Sequence, residues 1–397
     1  MKGIEDWRGV RLRYLNGNRR VKDEILRSLE LLHGYHRKSA IRLLRGELNR
    51  RLKGEERRAA KKRGVKSRYQ EPRFKDALRR VWRECDFMCS KNLKKAVPEW
   101  LPFYEEVHGE FLPEVREKLL QVSASTIDRL LKPYKHLGRG RCGTKPGSLL
   151  RSEIPISTTC WDISEPGFLE GDTVAHCGGC LQGEFVWTLT ATDIATTWTE
   201  VRPVWHKGAL AVINAINDIQ TTLPFPIKAW DSDNGGEFIN RTLIKHFVEK
   251  NIGLTRSRAY HKNDNAHVEQ RNYTHVRQLL GYARIDNPQV LEPLTEILRN
   301  WSMLKNHFYP TRKLIRKIVV GSVVKKIYDE PKTPYERVLA HPSVSEEKKI
   351  ELQACHRAIN PVRLRKQIRS AVRLLIGNAS VSLSHLTDFR SFGNTQL

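Results

Sequence analysis

The sequence predicts a multidomain protein: all-α, strongly basic units at the front, a mixed α/β domain in the middle, and a basic α/β region at the end. Three observations predict it. The chain has 397 residues, 39% of them hydrophobic and nine of them Trp, enough for several domains with real cores. Its charge is uneven. Residues 1–70 hold 22 Lys/Arg against 8 Asp/Glu, a net +14 of the total +26, whereas residues 161–280 hold 11 against 14, a net −3. Finally, the apolar pattern changes from helical spacing before residue 135 to β-branched, strand-like runs after residue 165.

The composition also bounds the setting. A charge of +26 calls for a polyanionic partner. No stretch approaches the ~20 apolar residues of a membrane span, and the start, MKGIEDWRGV, lacks the apolar region of a signal peptide. Seven scattered cysteines, an odd number, suit a reducing compartment better than a disulfide scaffold. A cytoplasmic protein without a membrane partner is the expectation.

The first unit, 1–62, reads as helix-turn-helix. Val21, Ile25, Leu29 and Leu32 make one helical stripe, Gly34 a turn, and a second helix starts near Arg37. Its Ala40, Ile41 and Leu44 face inward, while Lys38, Arg42 and Arg45 fall at i, i+4 and i+7 on the other side, the pattern of a helix laid in a DNA groove. A second such unit is expected over 63–136, from the stripe Phe74, Ala77, Leu78, Val81, Trp82 and from PEVREKLLQVSASTIDRLLKP, where Ser123 can cap a helix carrying Ile127 and Leu130. Residues 137–152 are Gly-rich and basic, a linker.

Over 153–284 the runs PGFLEGDTVAHC, EFVWTLTATD and TWTEVRPVW read as three strands. They are followed by helix (KGALAVINAINDIQTTL), strand (PFPIKAWDSD), helix (GEFINRTLIKHFVEKNI), strand (LTRSRAY) and helix (DNAHVEQRNYTHVRQLLGY). The order βββαβαβα belongs to a mixed sheet with helices on its faces, in which the first and fourth strands can lie side by side. The stretch DSDNGGEF, Asp231–Phe238, has the residues a turn needs. It also has carboxylates in excess of that need, and two further acids bear on it: Asp172, mid-strand in FLEGDTVAH, and Glu269 in the first turns of the last helix, with thirty-five residues between Asp233 and Glu269.

A strand Asp, an Asp-Asn-Gly after a strand and a helical Glu thirty-five residues on resemble the DDE triad of retroviral integrases and bacterial insertion-sequence transposases. The surrounding words DSDNGGEFIN, YHKNDNAHVEQRN and KTPYERVLA are similar to those of bacterial integrase-core transposases, and the resemblance spans about 160–340. It implies an RNase H-like core at 153–284 and a DNA transposase that nicks element ends and joins a 3′-hydroxyl to target DNA. It further implies double-stranded DNA as partner, a homo-oligomer in the active complex, and a bacterial, nucleoid-associated setting.

The chemistry explains the triad. Two divalent cations, Mg²⁺ or Mn²⁺, take oxygen ligands and can serve both ends of an in-line phosphoryl displacement. Asp172 is assigned as the bridging ligand, with Asp233 and Glu269 flanking. Asp193 is read as a turn or support residue, and Asp231 yields to Asp233. Asn265, one turn before Glu269, together with Lys262 and Arg271, is expected to touch substrate DNA; Arg256, Arg258 and Arg277 are further candidates by proximity. Where retroviral members carry Lys one and two turns after the Glu, this chain has Tyr273 and Val276, so those base contacts do not carry over. Cys177-Gly-Gly-Cys180 reads as a hairpin turn rather than half a zinc site, and without a Gly-rich phosphate loop no nucleotide cofactor is implied. The basic region 285–397 should continue as helix over 290–308, a hairpin around Gly321-Ser322, helix over 345–375 and a loose tail. Two other readings remain open: a structure-selective nuclease on the same fold, and a non-catalytic DNA-binding regulator derived from a transposase.

Overall fold

The computed structural model describes residues 7–45, 68–134, 164–232, 238, 240–256, 270–320 and 323–378. The chain divides into two compact units, Met1–Arg68 and Tyr69–Leu397. The linker 137–152 and the tail from 379 lie outside the described residues.

Among its described residues the first unit has three helices: α1 (Trp7–Asn16), α2 (Arg19–His33) and α3 (37–45). Asn18 caps α2 by accepting from the Val21 N–H at 3.1 Å. Gly34 ends the helix at φ +67°, a left-handed value that glycine adopts without a Cβ penalty, with its N–H on the Glu30 carbonyl and the Tyr35 N–H on that of Leu29. The core is Tyr14, Ile25, Leu26, Leu29, Ala40 and Leu44. Leu32, expected in the α2 stripe, is instead 73% exposed, and Leu26 takes the inward place. Helix α1 goes beyond the expected pair of helices. The Arg11 guanidinium donates to the Leu43 carbonyl at 3.1 Å and ties α1 to α3.

In the second unit, helices α4 (Pro72–Glu84), α5 (Ser90–His108), α6 (Pro113–Gln121) and α7 (Ala124–Leu131) come first. The expected stripe of Phe74, Ala77, Leu78, Val81 and Trp82 is buried in full, and Ser123 does cap α7, through the Thr126 N–H. These helices are not a free-standing arm. Their core residues join one hydrophobic cluster with Trp301, Leu304, Phe308 and Ile368 of the later helices α11 (Leu291–Phe308) and α14 (Pro361–Asn378). The Trp100 indole N–H donates to the Phe308 carbonyl at 3.0 Å. Asp86, buried in the corner after α4, binds Tyr309 (2.5 Å), Arg365 (2.9 Å) and Arg369 (2.5 Å). Apolar area and a buried ion network therefore fuse α4–α7 to the C-terminal helices.

The sheet has five strands: β1 (Phe168–Ala175), β2 (Val186–Asp193), β3 (Thr199–Trp205), β4 (Ala229–Ser232) and β5 (Gly253–Arg256), in the order β3-β2-β1-β4-β5. Strand β2 runs antiparallel to both β1 and β3, whereas β4 is parallel to both β1 and β5. Helix α8 (Ala209–Thr222) connects β3 to β4, and α9 (Arg241–Glu249) connects β4 to β5. Thus β1 is central, and the first and fourth strands are neighbours as expected. Helix α10 (270–280) follows; within it Asn272–Arg277 is a π-helical turn.

After α11, the expected hairpin is present as β6 (Leu314–Val320) and β7 (Val323–Tyr328), a separate two-stranded antiparallel sheet. The expected helix over 345–375 is two, α13 (Glu346–Ala358) and α14, preceded by the short α12 (Pro334–Leu339). Pro361 opens α14, and Asn360 accepts from the N–H groups of Val362 and Arg363 at 3.1 Å each. No described helix is long and apolar enough to cross a membrane.

Candidate active site

The site is built on the middle of β1. Successive strand residues point to opposite faces, so FLEGD divides into an apolar face (Leu169, Gly171) and an acidic one (Glu170, Asp172). The apolar face packs on Trp230 of β4, which is fully buried with Phe238 and Phe247. A Cβ on Gly171 would stand 2.2 Å from the Trp230 ring, so only glycine lets the indole lie across β1 here. That close approach fixes β4 alongside β1 with Gly171 opposite Ser232. Each of these two residues is followed in sequence by an acid, Asp172 and Asp233.

Asp172 is partly buried. Its Oδ1 accepts from the Thr173 N–H at 2.7 Å, and its Oδ2 accepts from the side-chain amide of Asn272 at 2.6 Å. Asn272 lies in α10, three residues after Glu269, and is the first residue of the π turn. Its amide oxygen is buried and has no hydrogen-bond partner among the described residues. The amide thus gives its N–H to Asp172 and leaves an oxygen acceptor beside it. Asp233, Glu269, Lys262 and Asn265 lie outside the described residues. A donor set of Asp172, Asp233 and Glu269, as the sequence leads one to expect, would be all carboxylate oxygen, the kind hard Mg²⁺ or Mn²⁺ takes, and the Asn272 oxygen, which has no partner among the described residues, is of the same character. No cluster of three or more His, Cys, Asp or Glu able to hold a metal occurs among the described residues.

Two further acids share this face. Glu170 is fully buried and pairs in register with Asp231, whose Oδ1 accepts from the Thr255 hydroxyl of β5 at 2.6 Å. The sequence reading passed over Glu170, although the period of two in FLEGD places it with Asp172. It also passed over Asn272, for which the only signal was its position in the helix after Glu269.

The other acids and cations fall into place around them. Asp193 closes β2 as a support residue: it accepts from Gly167 N (2.8 Å), Thr196 N (2.7 Å) and the Thr196 hydroxyl (2.7 Å). Burial raises its carboxyl above the usual range despite those bonds. Arg277, a proximity candidate for DNA, is anchored on the Ala175 carbonyl at 2.9 Å and lies over the Tyr282 ring. Arg271 is half-buried, and desolvation with Arg337 nearby pulls its guanidinium down to about 10. Val276, one of the two positions departing from the retroviral pattern, is a core residue, whereas Tyr273 is 53% exposed. Cys177–Cys180 forms a turn whose two thiols are not joined in a disulfide, held by Arg284, which donates to the carbonyls of Cys180 (2.9 Å) and Gln182 (2.8 Å).

In the first unit, Ala40 and Leu44 of α3 are buried, while Lys38, Arg42 and Arg45 are exposed, so the helix carries the expected basic outer face.

Over 330 residues the chain is 38% identical to the uncharacterized protein y4rM of Sinorhizobium fredii, a match that covers 82% of this chain and 91% of that protein. No family model matches the chain.

Proposed function

The chain belongs to one family with the uncharacterized Sinorhizobium protein, and we propose that it is a DNA transposase of the DDE class. The seat of Asp172 carries this reading. It lies on the central strand, one residue past the register pair that leads β4 into Asp233, and it is hydrogen-bonded by the helix that follows Glu269. Strand order β3-β2-β1-β4-β5 fits an RNase H-like catalytic core over 153–284. The charge split fits basic arms that hold DNA around a core that keeps its acids for metal.

On this reading α3 grips the element end, with Lys38, Arg42 and Arg45 facing the duplex. Asp172, Asp233 and Glu269 are the carboxylates that would hold two divalent cations. When bound, the cations supply activation of water or a 3′-hydroxyl and neutralise the leaving oxyanion. Asn272 holds the Asp172 carboxylate in one orientation, which spares the site the cost of ordering it at each turnover. Glu170 and Asp231 share the face of the sheet that carries Asp172. Lys262 and Asn265 are the preferred candidates for substrate contacts, because Arg271 is half-buried and Arg277 is committed to the backbone. Joining two ends to one target calls for a homo-oligomer in the active complex, and the bacterial nucleoid supplies the DNA. No nucleotide cofactor enters.

The test is a strand-transfer assay. Labelled duplexes carrying any inverted repeats found to flank the gene are incubated with the protein, Mg²⁺ or Mn²⁺ and a supercoiled plasmid. Nicking followed by joining is expected. Cleavage without joining would make the protein a nuclease on the same fold, and DNA binding with neither would make it a regulator.

A further inference from the structure

Packing among the described side chains does not account for the β6–β7 hairpin. It is a two-stranded ribbon apart from the main sheet, and its described apolar residues Leu314, Ile315, Ile318 and Ile327 belong to none of the buried hydrophobic clusters. Ile315 is 62% exposed. An isolated ribbon of two strands is marginal in water and persists when something else holds it.

Its base is held firmly. The Lys313 N–H donates to Asp329 at 2.6 Å, and the Lys313 ammonium reaches the Ala195 carbonyl at 2.8 Å. Arg337 pairs with Asp329 at 2.7 Å and donates to the Thr311 carbonyl at 3.1 Å, while the Thr311 hydroxyl meets that of Thr197 at 2.8 Å. These contacts root the ribbon on the β2–β3 turn of the catalytic sheet.

Beyond the base the character changes. From Arg312 to Tyr328 there are six Lys/Arg and no acid. Arg312 lies over the Tyr328 ring and Lys313 is spent on the base, but Arg316, Lys325 and Lys326 are exposed. The register places Lys317 opposite Lys326 and Ile318 opposite Lys325. Exposed cations with no acid among them build a positive potential along the ribbon, which a polyanion laid against it neutralises.

We propose that the β6–β7 ribbon is a sequence-independent clamp for the phosphate backbone of duplex DNA, with Arg316, Lys325 and Lys326 as the phosphate-facing cations. The proposal rests on the DNA-transposase reading and gives it a surface separate from the basic face of α3. Rooted on the turn after β2, the ribbon holds duplex against the sheet that carries Asp172, whereas α3 selects the sequence.

The test uses the full-length protein and the triple variant Arg316→Gln/Lys325→Gln/Lys326→Gln. Affinity for end-sequence and scrambled duplexes is measured across a salt titration. The variant should bind both duplexes more weakly by the same factor. Its log K against log salt slope should be less negative by about 2.7 if each cation meets one phosphate, at about 0.9 per contact. An equal change of charge elsewhere, Arg357→Gln/Lys366→Gln/Arg373→Gln, should leave the slope near wild type. A matching slope change in that control would overturn the assignment, since net charge would then account for it. So would an unchanged slope in the ribbon variant, and if that variant instead lost self-association, the ribbon would be an interface between copies. Absence of DNA binding by the wild-type protein would remove the transposase reading itself, an outcome distinct from a wild type that binds while the ribbon variant matches it.

Discussion

Replacing Gly171 by alanine tests the geometry that brings β4 beside β1. The added Cβ would stand 2.2 Å, 2.5 Å and 2.6 Å from three atoms of the Trp230 indole. That ring is fully buried, with the Phe238 and Phe247 rings 6.3 Å and 6.0 Å away between centroids, so it has little room to move. Overpacking of this kind costs about 1–3 kcal/mol, and with a rigid ring on a paired strand the upper end applies. For a large domain this lowers the melting temperature by about 2–4 °C per kcal/mol. Activity should fall further than the folded fraction, because the displaced register is the one that leads into Asp172 and Asp233. Thermal melts of Gly171→Ala, Trp230→Leu and the double variant provide the assay. The double variant should be more stable than the sum of the single losses by at least about 1 kcal/mol, since removing the ring frees space for the methyl. A neutral Gly171→Ala, or strict additivity, would refute the argument that indole contact sets this register.

Three further outcomes follow from the buried charges and the basic helix. Burial would raise the Asp86 carboxyl, but Arg365, Arg369 and Lys305 outweigh it and hold it well below the usual range. Asp86→Asn keeps a residue that tolerates the φ of +48° found there, and it should cost about 3–5 kcal/mol by leaving those cations uncompensated; a urea titration showing a loss below about 1 kcal/mol would contradict the fused-core description. Burial pulls His176 and His307 down to about 3, so both are neutral when folded, whereas an unfolded histidine protonates near 6.5. Their depressed folded values mean that their contribution is complete above about pH 6.5 and declines as pH falls towards 3, by about 1.4 kcal/mol per pH unit for each. These two histidines alone should therefore lower stability at pH 5.5 by roughly 2–3 kcal/mol relative to pH 7, the buried His275 acts in the same direction, and equal stability at the two would count against it. Arg42→Ala, on the exposed face of α3, should relax sequence preference at one or two base pairs at a cost of about 1–3 kcal/mol if it reads a base edge. Competition binding with substituted duplexes would show uniform weakening instead if Arg42 meets only phosphate.

Most of the architecture was legible because local pattern and tertiary demand agree in it. The stripe Phe74, Ala77, Leu78, Val81, Trp82 is buried as spaced, and the β-branched runs of the middle domain became β1, β2 and β3. Helix α5 was obscured because Pro98 and Pro102 sit inside it. Its buried Leu93, Ala96, Val97, Trp100, Leu101 and Tyr104 nonetheless keep helical spacing. The fusion of α4–α7 with α11 and α14 was not legible, since it depends on Trp100 and Asp86 meeting partners more than two hundred residues away. At the site, a charge in the middle of the strand FLEGDTVAH pointed to Asp172. The role of Asn272 depends on a π turn that side-chain periodicity does not announce.

The most direct test of the central claim is strand transfer by Asp172→Asn beside Asp193→Asn, with duplex affinity measured on the same preparations. The first change removes a ligand charge at nearly constant volume. The second alters a buried turn acceptor bonded to Gly167 and Thr196. The account predicts that Asp172→Asn loses both nicking and joining in Mg²⁺ and in Mn²⁺ while DNA affinity stays within about twofold, a difference of about 0.4 kcal/mol. Asp193→Asn should retain the greater activity. Substantial joining by Asp172→Asn, or the reverse order of the two, would contradict the assignment of Asp172 as the central metal-binding carboxylate.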